Sequence, residues 1–141
     1  ASLEGALNKD SGLKGICGEN DMRTTRELAD AGDARAQLAI GMYCYRIRKY
    51  IGAYLAVLGH LDALVFTAGI GENSPGIREQ VCAGLEALGI TLDTGRNHQQ
   101  DDGIIEIQQP DAPLRVLVVP TNEEIEIARQ TVNSIEATSN R

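Results

Sequence analysis

Apolar residues return at helical spacing through the first half of the chain. They predict one long helix over Asp33–Leu58 that begins at Asp33 as its N-cap. Before it, the pattern predicts a helix ending near Asn8, a loop over residues 11–18, and a short helix over residues 23–29 capped by Asp21. The first half is therefore predicted to be mainly helical.

Strands and helices alternate in the second half. Ala63–Phe66 is a short apolar run with branched and aromatic members, which predicts a buried strand. Gly69–Gly71 predicts a tight turn directly after that strand. Ser74 is a natural N-cap, so a helix is predicted from there to about Leu88, where Gly89 would close it.

Three more strands and a last helix are predicted downstream. The strands are Ile90–Leu92, Gly103–Ile107 and Val116–Val119, and the continuous β-branched run of the third is typical of a central strand. Residues 93–100 predict a loop or a single helical turn, and Glu123 opens a helix that runs to about Ile135. This alternation predicts an α/β fold with a mostly parallel sheet and flanking helices.

Composition excludes several classes of protein. The 141 residues carry a formal charge of −7 without a Lys/Arg cluster, which argues against nucleic acid or an anionic membrane surface as a partner. No apolar run is long enough to span a bilayer. Cys17, Cys44 and Cys82 match neither a disulfide framework nor a zinc site, so we expect reduced thiols in a cytoplasmic protein. His60 and His98 are isolated, and neither is assigned a catalytic role.

Two strand ends carry candidate chemistry. The first delivers Gly69–Asn73 and the other delivers Thr121–Glu124. Ligands of open α/β sheets bind outside the carboxyl ends of strands, and a glycine turn beside a carboxylate suits a nucleotide with Mg²⁺. Glu123 and Glu124 also have a structural explanation, because acidic residues in a first helical turn stabilise the helix dipole.

Other functions remain open at this point. A P-loop is excluded because the chain has no Gly-Lys-Ser/Thr. A dinucleotide site of the NAD type would use Gly69, Gly71 and Asp93, although Ser74 stands at the third glycine position and Glu72 would direct negative charge at a pyrophosphate. A non-catalytic dimerising domain is the third possibility.

A dimerising domain would use residues 50–58. This segment is apolar on nearly every side, which predicts burial between layers or subunits.

Three separated segments together resemble the C-terminal part of acetate kinase and the related propionate kinases. They are Phe66–Asn73, Pro120–Glu124, and Ser11–Leu13 with Asp21–Arg23. The resemblance extends over nearly the whole chain in the family's order. It implies a partial actin-like, ribonuclease-H-like ATPase domain. It also implies transfer of the terminal phosphoryl of ATP to acetate or propionate, which yields an acyl phosphate and ADP.

The resemblance assigns roles position by position. Asp21, Met22 and Arg23 become part of the adenosine site, and Ile77 packs on the base. The loop over the nucleotide consists of Gly69, Ile70, Gly71, Glu72 and Asn73. Glu123 becomes the carboxylate that holds Mg²⁺.

The family's first domain, and the first strands of its second domain, carry groups that cannot be located here. We therefore expect residues 1–141 to be a C-terminal nucleotide-binding domain fragment that begins inside a longer protein, which is a homodimer at full length. No catalytic residue is assigned within the chain. Phosphoryl transfer depends on positioning and charge stabilisation, so the fragment alone is expected to be inactive.

Overall fold

The structure, a computed structural model, describes residues 3–121 and 123–139, and of these it gives the backbone alone for residues 123–124 and 136–139. The helices are α1 (Leu3–Lys9), α2 (Gly12–Cys17), α3 (Met22–Asp30), α4 (Ala34–Leu58), α5 (Ala68–Asn73), α6 (Pro75–Cys82), α7 (Thr94–Asn97) and α8 (Glu123–Ser139). The strands are β1 (Ala63–Thr67), β2 (Ile105–Glu106) and β3 (Arg115–Val119).

β3 is the central strand of the described sheet, whose order is β1-β3-β2. β1 runs parallel to it with Val65 opposite Leu117, whereas β2 runs antiparallel along its other side. Val116 is fully buried, as its place in a β-branched run predicts. The parallel pairing brings the carboxyl ends of β1 and β3 to the same edge of the sheet.

The long helix α4 packs against α2, α3 and α6. Its predicted cap is confirmed, because a side-chain oxygen of Asp33 accepts a hydrogen bond from the Ala36 N–H at 2.8 Å. Its buried face comprises Ala36, Ala39, Ile40, Cys44 and Ile51. Beyond Ile51, the last turns of the helix stay largely exposed within the part of the chain that the structure describes, since Tyr54 is 62% and Val57 is 82% exposed.

Two predicted loops are helical. Residues 12–17 form α2, where the sequence predicted a loop, and Leu13 packs against the core cluster. Gly69–Gly71 lies inside α5 and does not form the predicted tight turn. In both places glycine suggested a turn, but local hydrogen bonding and core contacts of the neighbouring residues favour a short helix.

The helix predicted to reach Leu88 is shorter. α6 ends at Cys82, and Gly84 follows with φ +80°, a left-handed backbone that interrupts a right-handed helix. A 3-10 turn at Glu86–Leu88 then closes at Gly89, which also has a left-handed backbone. The predicted strand Ile90–Leu92 is reduced to a single bridge between Leu92 and Gln108.

Candidate functional site

The carboxyl end of β1 passes directly into α5. Ala68 has φ +58°, a left-handed conformation that is unusual for a residue with a side chain. The Thr67 hydroxyl donates a hydrogen bond to the carbonyl oxygen of Val119 at 2.8 Å, which joins the ends of β1 and β3. Gly71 packs so closely that a Cβ there would lie 3.2 Å from the Phe66 carbonyl carbon. A side chain at position 71 would therefore push α5 away from β1.

A carboxylate joins α5 to the segment after β3. One carboxyl oxygen of Glu72 accepts hydrogen bonds from the backbone N–H of Thr121 at 2.9 Å and from its hydroxyl at 2.8 Å. These two hydrogen bonds hold the pKa of Glu72 below its ordinary value. The segments that follow β1 and β3, which carry the candidate chemistry, are thus directly hydrogen-bonded to each other.

A buried arginine, Arg78, is hydrogen-bonded to the end of α5. Arg78 is 2% exposed, and its Nη1 donates to the carbonyl oxygens of Gly71 and Glu72, each at 2.7 Å. Its Nε donates to the Asn97 side-chain oxygen at 2.7 Å, and Asn97 is itself fully buried. Burial lowers the pKa of Arg78, but a guanidinium stays protonated in proteins.

Arg78 and Asn97 were not predicted from the sequence, and neither was Thr121 as a partner of Glu72. A signal for Arg78 was available, because it precedes Val81 and Cys82 by three and four residues and so shares their helix face. Both of those residues are buried. A charged residue on a buried stripe must find hydrogen-bonding partners inside the protein.

The residues predicted to hold the adenosine occupy different environments. The Asp21 carboxylate caps α3 by accepting from the N–H groups of Arg23 at 2.9 Å and Thr24 at 3.0 Å. Met22 belongs to the core at 6% exposure, whereas the Arg23 side chain is 89% exposed. Ile77 also belongs to the core, at 3% exposure.

The start of α6 is bonded to α3. The Ser74 side chain makes no capping hydrogen bond to the helix, although Ser74 stands at the predicted N-cap position. Its oxygen instead accepts a hydrogen bond from Arg26 Nη1 at 3.4 Å. This contact connects the helix that Asp21 caps to the beginning of α6.

Two clefts border the 69–73 segment. An apolar cleft of about 520 Å³ lies between α4 and β1, and it is lined by Gly69, Ile70, Gly71 and Ile77 among others. A polar cleft of about 650 Å³ is lined by Glu72, Asn73, Arg78 and residues 98–103. The predicted loop over the nucleotide therefore separates an apolar space from a polar one, and residues 21–23 line neither.

The predicted metal ligand Glu123 begins α8, four residues after β3 ends. Its side chain lies outside the described residues. Among those that are described, no group of three or more His, Cys, Asp or Glu side chains is arranged to hold a metal ion. Cys17, Cys44 and Cys82 are free thiols. None of the helices in the described ranges has the length and apolar character that crossing a membrane requires.

The model of the Acetokinase family matches residues 1–129 of this sequence. The chain belongs to the acetokinase family. A curated acetate kinase from Syntrophobacter fumaroxidans is 59% identical over 133 residues, which represent 94% of this chain and 32% of that protein. The acetate kinase of Helicobacter pylori (strain Shi470) is 54% identical over 124 residues, which cover 88% of this chain and 31% of its own length.

Solved structures show the same similarity. The crystal structure of Porphyromonas gingivalis acetate kinase matches with a TM-score of 0.83 and 42% identity, over 92% of this chain and 33% of that one. A propionate kinase from Francisella tularensis matches with a TM-score of 0.80 and 40% identity, over 91% of this chain and 33% of that one. The predicted fold class, a partial actin-like α/β domain, is confirmed. The chain spans about a third of the length of the relatives it matches.

The comparisons do not favour the dinucleotide-binding alternative. In the structure, Asp93 caps α7 by accepting a hydrogen bond from the Arg96 N–H at 2.9 Å. The acid that would have contacted a ribose therefore has a local structural role.

Proposed function

We propose that the protein to which this chain belongs is an ATP-dependent kinase that phosphorylates acetate or propionate, with an acyl phosphate and ADP as products. The bond between Glu72 and Thr121 is the observation that carries the proposal. It joins the glycine-containing segment to the segment that leads into Glu123, which supports a nucleotide–metal site built from both segments at one edge of the sheet. Relatives named acetate kinase and propionate kinase support this substrate class.

Within that enzyme, residues 1–141 form the part of the C-terminal domain that holds the nucleotide. Gly69–Asn73 would pass over the nucleotide, because Gly71 packs α5 closely against β1 and Glu72 bonds it to Thr121, while Gly69 has open space beside it that lets a ligand approach the backbone. Arg23 would present its exposed guanidinium to the adenosine, with Asp21 and Met22 holding the start of α3 in place. Ile77 would extend the apolar wall toward the base.

The donor chemistry at the end of β3 fits Mg²⁺. This ion takes one or two carboxylates and leaves its other positions to water and phosphate oxygens, and Glu123 would be the carboxylate. A bound Mg²⁺ neutralises phosphate charge. Asp and Arg residues that contact the transferred phosphoryl group and the acid are proposed to lie outside this chain, as is the basis for choosing acetate or propionate. A cytoplasmic location and a homodimer at full length complete the proposal.

The test uses the full-length protein with ATP, Mg²⁺ and either acid, and traps the acyl phosphate as a hydroxamate. We expect product with acetate, propionate or both. No product with either acid would refute the proposed function. Saturable NAD binding without ATP binding would favour the dinucleotide-binding alternative instead.

Neighbouring glutamates give a matched pair of variants for the metal role. Glu123→Gln should lower kcat by about 10²-fold and raise the Mg²⁺ concentration needed for half-maximal rate, as expected when an electrostatic stabiliser of the transition state is removed. Glu124→Gln changes the charge of the same helical turn and should leave both values nearly unchanged. Equal effects of the two variants would show that Glu123 only balances the helix dipole.

A further inference from the structure

Among the charged side chains that the structure describes, Arg78 is unusual because its guanidinium is buried and bonded mainly to backbone. It is 2% exposed, and its hydrogen bonds go to the carbonyl oxygens of Gly71, Glu72 and Asn97 and to the Asn97 side chain. Burial of a guanidinium carries a large desolvation cost, which a single surface contact would not offset. Such a network favours one particular arrangement of the groups that it joins.

The groups that Arg78 joins belong to the proposed nucleotide segment. Gly71 and Glu72 lie in the last turn of α5, whose carbonyl groups have no intrahelical partners and carry partial negative charge. The Nη1 atom bonds two of these carbonyls at 2.7 Å each. The guanidinium therefore fixes the position of the last turn of α5.

Asn97 fixes Arg78 in turn. It is fully buried at the end of α7, and its side-chain oxygen accepts from Arg78 Nε at 2.7 Å. Its side-chain nitrogen donates to the Pro75 carbonyl oxygen and to the Glu79 carboxylate, each at 3.1 Å. Asn97 thereby holds the guanidinium against the first turn of α6, and none of its polar atoms is left unpaired.

We propose that Arg78, oriented by Asn97, is a positioning residue that sets the geometry of Gly69–Asn73 for the nucleotide. The inference rests on the proposed function, and it assigns Arg78 no contact with ATP. Arg78 acts through the Gly71 and Glu72 carbonyls. Loss of these hydrogen bonds should therefore raise KM for ATP while KM for the carboxylic acid stays nearly unchanged.

Kinetics of the full-length protein test this selectivity. Arg78→Lys keeps the charge, but its single ammonium has three N–H donors and cannot reproduce the four hydrogen bonds that Arg78 makes from Nε, Nη1 and Nη2. We expect it to raise KM for ATP about tenfold or more, because misplacement by about 1 Å can cost up to about 10²-fold. KM for acetate should change by less than twofold. Asn97→Ala, which leaves Arg78 Nε unpaired, should shift the same constants in the same direction.

Arg48→Lys is the matched control. Arg48 Nη1 donates to the carbonyl oxygen of Ala83 at 3.0 Å, beyond the opposite end of α6 from the nucleotide segment. The Arg48→Lys substitution removes an arginine–carbonyl bond that does not involve α5, so it should leave KM for ATP and KM for acetate unchanged. Equal increases in KM for ATP and acetate, or the same selective effect in Arg48→Lys, would overturn the inference.

Hydrogen exchange separates this inference from the proposed function. Backbone amides of residues 69–73 in the full-length protein should exchange faster in Arg78→Lys than in wild type, whereas Arg48→Lys should leave them unchanged. Unaltered exchange at 69–73 in Arg78→Lys would overturn the positioning role whatever the kinetics. A wild-type protein without kinase activity would refute the proposed function alone, because the exchange rates would still decide whether Arg78 positions the segment.

Discussion

Replacing Ile77 by alanine tests whether this residue serves the core of the domain. The side chain is 3% exposed and belongs to the main apolar cluster. The change removes Cγ1, Cγ2 and Cδ1, and at about 0.8 kcal/mol for each buried carbon it loses about 2.5 kcal/mol of transfer free energy. The remaining cavity brings the expected loss in the free energy of unfolding to about 3–4 kcal/mol.

Urea unfolding of the full-length protein, followed by circular dichroism, measures this loss from the shift in midpoint at constant m-value. Ile104→Ala is the control, because Ile104 is 64% exposed and should change stability by less than about 0.5 kcal/mol. Ile77→Leu conserves volume and should cost less than about 1.5 kcal/mol. A loss below about 1 kcal/mol for Ile77→Ala would refute the assignment of Ile77 to the core.

Three further predictions concern a cap, a thiol and a carboxylate. Asp33→Ala removes the N-cap of α4 and should lower the free energy of unfolding by about 1 kcal/mol in the same urea assay. Asp33→Asn keeps a capping oxygen and should retain most of that stability. Burial raises the pKa of Cys82 to about 12, so at pH 8 a thiol reagent should modify half-buried Cys17 well before Cys82 in the native protein, as peptide mapping can check. Because the folded-state pKa of Glu72 lies below its ordinary value of 4.5, its contribution to stability is present above the unfolded-state pKa and is lost as the pH falls through the folded-state pKa. The midpoint difference between wild type and Glu72→Gln should therefore be larger at pH 6 than at pH 3, and an equal difference at both values would contradict the bond to Thr121.

Regular patterns in the sequence predict the scaffold well. The apolar stripe of α4 follows from helical spacing, and its N-cap follows from an Asp at the start of that pattern. The central place of β3 follows from a β-branched run. Both depend on residues close together in sequence. At Gly69–Gly71 the sequence predicted a tight turn, whereas the structure forms a helix because α5 packs against β1, a contact that composition does not encode.

The support of the candidate site could not be predicted in the same way. Glu72 and Thr121 are separated by 49 positions and Arg78 and Asn97 by 19, so each bond depends on the fold that brings its partners together. The glycines indicate where a backbone is open to a ligand. They do not identify the side chains that hold that backbone in place.

Those side chains also explain why a six-residue helix can be a fixed part of a site. An isolated helix of this length is unstable in water, because nucleation costs more than a few hydrogen bonds return. α5 is held at its start by the Thr67–Val119 bond, and at its end by Glu72–Thr121 and by Arg78. Because these bonds attach different positions of α5 to the end of β3 and to α6, removing one should loosen one part of α5 while the rest stays attached. Glu72→Gln and Arg78→Lys should therefore give hydrogen-exchange changes that differ in position along residues 68–73, and identical patterns would show that α5 opens as a single unit.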